Sequence, residues 1–189
     1  MITRDMMLFE EAGPQNTRTT LEAARTRARE LGIRCVVVAT STGRTALEAA
    51  DVFAGSGVSL FGVTLHAGRW KVYCPPEPDT VAKATAKGVK FLTATHLLKG
   101  NVEAAIRDKF GGLPPAEVIA HTYYTFCHGM KVAVEVTLMA ADAGLISVED
   151  DVIAVAGTGK GADTGIVLKP AFSTEFFSLK VREIIAMPR

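Results

Sequence analysis

Residues 35–45 read CVVVATSTGRT, and this stretch decides the fold. The apolar run Cys35–Ala39 is rich in valine and carries no charged residue, which is typical of a strand covered on both faces in a parallel sheet. The next six residues combine one glycine with small hydroxyl side chains and one cation. A loop of this kind exposes backbone N–H groups, so it predicts a turn that holds a phosphate at the start of the following helix.

A second unit of the same kind lies more than a hundred residues later in the chain. Val152–Ala156 is another apolar run, and residues 157–161, GTGKG, follow it directly. In open α/β sheets, ligands bind beyond the carboxyl ends of the strands, near a topological switch point. We therefore predict that the fold brings both loops into one site for an anionic ligand, with Arg44 and Lys160 at its rim.

Strands and helices alternate along the chain. Apolar runs predict strands at residues 33–39, 58–64, 89–93, 152–156 and 165–168, with an added edge strand at 180–187. Helical spacing and caps predict helices at residues 17–31, 46–53, 79–87 and 102–109, and a long helical stretch from 114 to 143 that bends near 129. The alternation predicts one domain over residues 1–189, a three-layer α/β/α sandwich with a mostly parallel sheet and an antiparallel last strand.

Composition excludes several classes of partner. The chain has 189 residues, which suits one well-buried domain. Its formal net charge is +1, so it lacks the excess of basic residues typical of nucleic-acid-binding domains. Acidic residues between Asp5 and Glu11 interrupt the place where a signal peptide is apolar, and no stretch fits a membrane helix. The cysteines Cys35, Cys74 and Cys127 lack metal-ligand spacing. We expect reduced thiols in a cytoplasmic protein.

Both loops and the residues that follow the second one form the predicted ligand site. Its members are Thr40, Ser41, Thr42, Gly43, Arg44, Thr45, Gly157, Thr158, Gly159, Lys160, Gly161, Ala162, Asp163 and Thr164. The first loop by itself equally fits an ordinary turn with a solvated arginine, and the second fits a glycine-rich hairpin. The first loop is not a Walker A loop, because no glycine-lysine pair closes it. The second is neither a Walker A loop nor a dinucleotide fingerprint, because Ala154 stands where the former needs glycine and a strand follows where the latter needs a helix.

Other polar residues add less. His96 follows the third predicted strand, and we assign it a polar contact to the ligand. His121 and His128 are too far apart on one helix for a metal pair, so we predict no metal site. Lys131 and Glu135 are four residues apart, which predicts a salt bridge on a helix surface. No nucleophile lies in a recognisable pattern with a base, and catalytic residues are left unassigned.

Together, the two loops are similar to a known pattern. Residues 40–46 match a Thr-x-Ser/Thr-Gly-Arg-Ser/Thr-Ala turn, and residues 151–168 match a glycine-rich connection between two last strands. On these motifs the chain resembles the C-terminal α/β domain of pyruvate kinase over roughly residues 17–170, with an extra segment around 94–113. It is most similar to stand-alone prokaryotic proteins of this type, on the elements Asn16-Thr17, Thr95-His96, 129–132 and 161–164.

The resemblance carries expectations about function. The kinase binds an allosteric sugar phosphate at these two loops, whereas the stand-alone group is associated with bound FMN, whose phosphate suits the first loop. Thr158 and Lys160 replace the Trp and Arg typical of the kinase loop, which favours FMN as the phosphorylated ligand. Pyruvate kinase activity is not expected, because this sequence contains no catalytic barrel. A flavin-dependent oxidoreductase and a non-catalytic sensor or carrier of a phosphorylated metabolite both stay open, as does a homo-oligomeric state.

Overall fold

The computed structural model describes residue 1 and residues 3–189. Within these residues, seven strands form one sheet in the order β1-β7-β6-β5-β2-β3-β4. The strands are β1 Met7–Phe9, β2 Cys35–Ala39, β3 Ser59–Thr64, β4 Lys90–Thr93, β5 Val152–Ala156, β6 Thr164–Lys169 and β7 Lys180–Pro188. The helices are α1 Thr17–Leu31, α2 Arg44–Val52, α3 Pro78–Ala86, α4 Val102–Phe110, α5 Pro115–Tyr124 and α6 His128–Asp142.

The sheet is mostly parallel, which confirms the predicted fold class. Each neighbouring pair is parallel except β5–β6 and β6–β7. Strand β6 therefore runs against the other six strands. The short glycine-rich connection from β5 to β6 forces this reversal, since a parallel partner would need a long crossover.

Side chains alternate between two cores, one on each face of the sheet. Val37 and Ala154 pack with α5 and α6 on one face, whereas Val36 and Val38 pack with α1, α2 and α3 on the other. The central strands β2 and β5 are thus covered on both sides, as the unbroken apolar runs predict. The result is three layers, helix on sheet on helix.

Two predicted elements were wrong in detail. The stretch 114–143 is two helices, α5 and α6, because Cys127 adopts an extended conformation between them. Its sulfur accepts a hydrogen bond from the backbone N–H of Met130 and so begins α6. Strand β7 does not lie at the edge, because β1 pairs with it in parallel and forms the edge instead. We had not predicted β1, since three residues are too few for a periodic signal.

Candidate functional site

Strands β2 and β5 lie side by side, and the strand order reverses between them. The parallel register pairs Val36 with Ile153 and Val38 with Val155, so both strands end at the same level of the sheet. From β2 the sheet continues outward through β3 and β4, and from β5 it continues in the other direction through β6. This is a topological switch point, and the loops that follow β2 and β5 both leave the sheet at this edge.

A cleft of about 1240 Å³ opens beyond these strand ends. Cavities for small ligands usually range from roughly 300 to 1,000 Å³, so a nucleotide-sized molecule fits. Of the predicted site residues, those that line the cleft are Thr40, Ser41, Thr42, Arg44, Thr45, His96, Gly157, Gly159, Lys160 and Gly161. The predicted residues that do not line it are Gly43, Thr158, Ala162, Asp163 and Thr164.

The first loop is held by Thr40, the residue directly after β2. The buried Thr40 hydroxyl accepts hydrogen bonds from the backbone N–H of Gly43 at 3.1 Å and of Ala46 at 3.4 Å. Gly43 has φ of 99°, a left-handed conformation that favours glycine. The turn therefore delivers the chain into α2 with the N-terminus of that helix at the cleft, where its dipole favours an anion.

Arg44 is paired with a carboxylate. Its Nη2 lies 2.6 Å from Glu77 Oε1, and its Nε donates to Glu77 Oε2 at 3.0 Å. The same glutamate donates its backbone N–H to the carbonyl of Thr42. The ion pair raises the pKa of Arg44 and lowers that of Glu77. Arg44 and Lys160 do line one cleft. That both contact one anion stays a prediction. The ion pair of Arg44 with Glu77 also links the first loop to the segment before α3.

The glycines of the second loop serve close packing as well as exposure. A Cβ on Gly157 would lie 2.7 Å from the carbonyl oxygen of Gly161, and one on Gly161 would lie 2.4 Å from Thr17 Oγ1. Gly159, by contrast, has φ of 78° and open space around it. Gly157 and Gly161 are therefore required by the fold itself, and the middle of the loop, with the exposed Lys160, is the part free to approach a ligand.

Asp163 and Thr164 are structural anchors. The carboxylate of Asp163 is fully buried and accepts the backbone N–H of Gly13 at 3.0 Å and of Thr158 at 3.1 Å. Its other oxygen accepts the hydroxyl of Thr164 at 2.8 Å. These contacts tie the N-terminal segment, the second loop and β6 together.

The wall of the cleft on α6 carries a buried charged pair that the sequence prediction placed wrongly. Lys131 and Glu135 form the expected ion pair, but they are only 4% and 2% exposed and both line the cleft. Glu135 Oε1 also accepts the backbone N–H groups of Leu98 and Lys99, and Oε2 lies 3.6 Å from His96 Nδ1. The segment after β4 covers this face of α6, which is why the pair is not on a helix surface.

A model of the pyruvate kinase alpha/beta domain family matches residues 18–168, which is most of the chain. The chain belongs to this family. The matched range agrees with the extent of the resemblance seen in the sequence and includes both loops of the cleft.

Among solved structures, the domain is similar to a pyruvate kinase from Cryptosporidium parvum, with 18% sequence identity and a TM-score of 0.41. The match covers 75% of this chain and 20% of that enzyme. The chain thus spans about a fifth of the length of the kinase that it matches.

Several cleft residues of the domain were not predicted from the sequence. Tyr73, Tyr124, Arg69 and Lys99 all line the cleft. Burial raises the pKa of Tyr124, and Lys99 Nζ lies 5.6 Å from the centre of its ring. These residues lie on the irregular segments after β3 and β4 or on α5, where no strand-end pattern marks them.

The cysteines are free thiols, and burial raises the pKa of Cys35 to about 12, so this thiol is inert. Across residue 1 and residues 3–189, no group of three or more His, Cys, Asp or Glu side chains is placed to hold a metal ion. None of the helices described for this domain combines the length and the apolar character needed to cross a membrane.

We expect His96 to make the stability of the domain depend on pH. Burial lowers the pKa of His96 below its ordinary value of 6.5. The nearby Glu135 carboxylate opposes this effect, and Lys131 and His66 add to it. Because the folded state favours neutral His96, its contribution is present above about pH 6.5 and is lost as pH falls through the lowered pKa. We expect the free energy of unfolding to decrease between about pH 7 and pH 5.

Urea unfolding at both pH values measures this decrease. The His96→Gln variant removes the titrating group and keeps a polar side chain, so its stability should change less over the same interval. An equal decrease in wild type and variant would assign the pH dependence to other groups.

Proposed function

We propose that the cleft binds a phosphorylated small molecule, with FMN as the leading ligand. The observation that carries this proposal is the meeting of two glycine-containing loops at the switch point between β2 and β5. The N-terminus of α2 and the small residues of both loops suit a phosphate group there.

The remaining lining suits a flavin ring. Val63, Leu65, Val132 and Val136 supply apolar surface, and Tyr124 supplies an aromatic face. Burial of apolar ring surface contributes at about 25 cal/mol per Å². A bound flavin would supply electron or hydride transfer, and the domain would then be a flavin-dependent oxidoreductase of the cytoplasm, where its three thiols stay reduced.

A second function is favoured by the charges of the cleft. Arg69, Lys99, Arg107 and Lys131 line it in addition to Arg44 and Lys160. This many cations suits a ligand with more than one anionic group, as in a non-catalytic sensor or carrier of a phosphorylated metabolite. In that case, ligand binding would act on a partner surface or on homo-oligomerisation.

Thermal unfolding with FMN or fructose 1,6-bisphosphate separates the two functions. A ligand that binds only the folded state stabilises it by about 2.7 kcal/mol at a hundredfold excess over Kd. We expect FMN to raise Tm and to leave a flavin absorbance spectrum after dialysis. A shift with the bisphosphate and none with FMN would favour the sensor, and no shift with either would contradict both.

Two variants test the first loop in the same assay. Arg44→Ala should weaken FMN binding about tenfold or more, as expected for loss of a hydrogen bond to a charged group. Glu77→Gln is the matched control, because it breaks the Arg44–Glu77 pair but keeps the guanidinium. If Arg44 contacts the phosphate, Glu77→Gln should bind FMN at least as tightly as wild type. Equal losses in both variants would show that the ion pair only shapes the loop.

A further inference from the structure

The buried pair Lys131–Glu135 calls for a role other than stability. Moving two charges out of water costs nearly as much free energy as their attraction returns, and apolar replacements are often neutral or stabilising. Both residues lie on α6, whose other residues between Gly129 and Ala141 carry no charge. A charged pair on such a helix, at the wall of a cleft, points to a contact between the pair and a ligand bound in the cleft.

The two partners differ in how far their hydrogen-bonding capacity is used. Glu135 accepts from the N–H groups of Leu98 and Lys99 and from Lys131, which accounts for both of its oxygens. The ammonium of Lys131 has three donors, and among the described residues it donates only to Glu135. Glu135 therefore fixes the position of Lys131, and Lys131 has donors left for an acceptor in the cleft.

The cleft that Lys131 lines carries further positive charge. Arg69 and Lys99 line the same cleft, and neither forms an ion pair with a carboxylate in the described part of the chain. The acidic residues that line the cleft besides Glu135 are Glu48 on α2 and Asp108, which is paired with Arg107. The cleft as a whole therefore has more cationic than acidic lining residues.

Helices α2 and α6 lie on opposite faces of the sheet, and residues of the first loop and Lys131 line one cleft. Helix α2, which follows the first loop, packs on the face that holds Val36 and Val38, whereas α6 packs on the opposite face. An elongated ligand whose phosphate lies at the first loop can therefore extend along the cleft towards the α6 wall that carries Lys131.

We propose that Lys131, positioned by Glu135 and assisted by Lys99, forms a second subsite that binds an electron-rich oxygen group at the end of the ligand away from its phosphate. The proposal rests on the function proposed above. Two sources supply this chemistry, the carbonyl edge of a flavin ring and the second phosphate of a sugar bisphosphate. In both, charge-assisted hydrogen bonds from the ammonium would hold the oxygen.

The test compares wild type with the double variant Lys131→Met, Glu135→Gln. The double variant replaces the pair with neutral side chains of similar size, so no uncompensated charge stays buried. Binding is measured by calorimetric titration with three probes. Inorganic phosphate occupies only the phosphate position at the first loop. Fructose 1,6-bisphosphate and FMN are two-ended probes, because each has a second oxygen-bearing end that can reach Lys131. We expect unchanged affinity for inorganic phosphate and a loss of about tenfold or more for the two-ended probe that wild type binds. Which two-ended probe loses affinity identifies the source of the oxygen group.

Circular dichroism checks that the double variant is folded. If it is not, Lys99→Met serves instead, since Lys99 has no ion-pair partner among the described residues, and a several-fold loss for the two-ended probe is expected. Equal affinity of wild type and a folded variant for that probe would overturn the subsite. The subsite would also be overturned if the two-ended probes bound wild type no more tightly than inorganic phosphate does. If none of the three probes binds wild type, the proposed function itself fails, and the subsite with it.

Discussion

Glu135→Ala should reduce the free energy of unfolding by about 3–5 kcal/mol, the range found when one partner of a buried ion pair is removed. The substitution leaves the ammonium of Lys131, only 4% exposed, without its partner. It also removes the acceptor of the Leu98 and Lys99 N–H groups, which hold the segment after β4 against α6. Since domains are stable by only about 5–15 kcal/mol, urea unfolding should show a large decrease in the midpoint.

The double variant Lys131→Met, Glu135→Gln is the control for this prediction. It removes the charge imbalance and keeps an oxygen acceptor near the two N–H groups, so we expect less than half of the loss. Similar losses in both variants would mean that the anchored segment, and not the uncompensated charge, determines the stability. A loss below about 1 kcal/mol in Glu135→Ala would contradict the buried pair itself.

The sequence predicted the cleft-lining residues that directly follow strands. The runs 35–39 and 152–156 have no alternation, so they had to be covered on both faces, and this placed them in the middle of the sheet. A loop after each of two adjacent parallel strands must lie at one edge. That argument needs only local patterns and topology, and it located the cleft and nine of its lining residues. The position of His96 after another predicted strand gave a tenth.

The residues that the sequence did not place depend on contacts between distant segments. The spacing of Lys131 and Glu135 is the same for a surface pair and a buried pair, and only the segment after β4 decides between them. One signal was available, because α6 carries no charge between Gly129 and Ala141 apart from this pair, and helices that are apolar all round are buried. Asp163 was likewise assigned to the ligand, since nothing local shows that Gly13, 150 residues away, donates to it.

Asp163→Ala should reduce the free energy of unfolding by about 3–5 kcal/mol, even with no ligand present. The fully buried carboxylate accepts three hydrogen bonds, from the N–H groups of Gly13 and Thr158 and the hydroxyl of Thr164. Hydrogen bonds to charged groups contribute about 1.5–3 kcal/mol each, and losses within one cluster are not additive. Without the acceptor, buried donors lose their partner and the N-terminal segment loses its tie to the second loop.

Thr164→Val is the matched control, because it removes one of the three hydrogen bonds and keeps the shape of the side chain. We expect it to cost about 1 kcal/mol, clearly less than Asp163→Ala. Urea unfolding of the ligand-free variants measures both losses. If Asp163 served only to contact the ligand, Asp163→Ala would leave the stability of the ligand-free protein unchanged and would weaken only the binding of FMN. That result would show that Asp163 is a ligand-binding residue, as the sequence analysis assigned it. The expected loss would instead show that Asp163 builds the loop that Lys160 presents to the cleft.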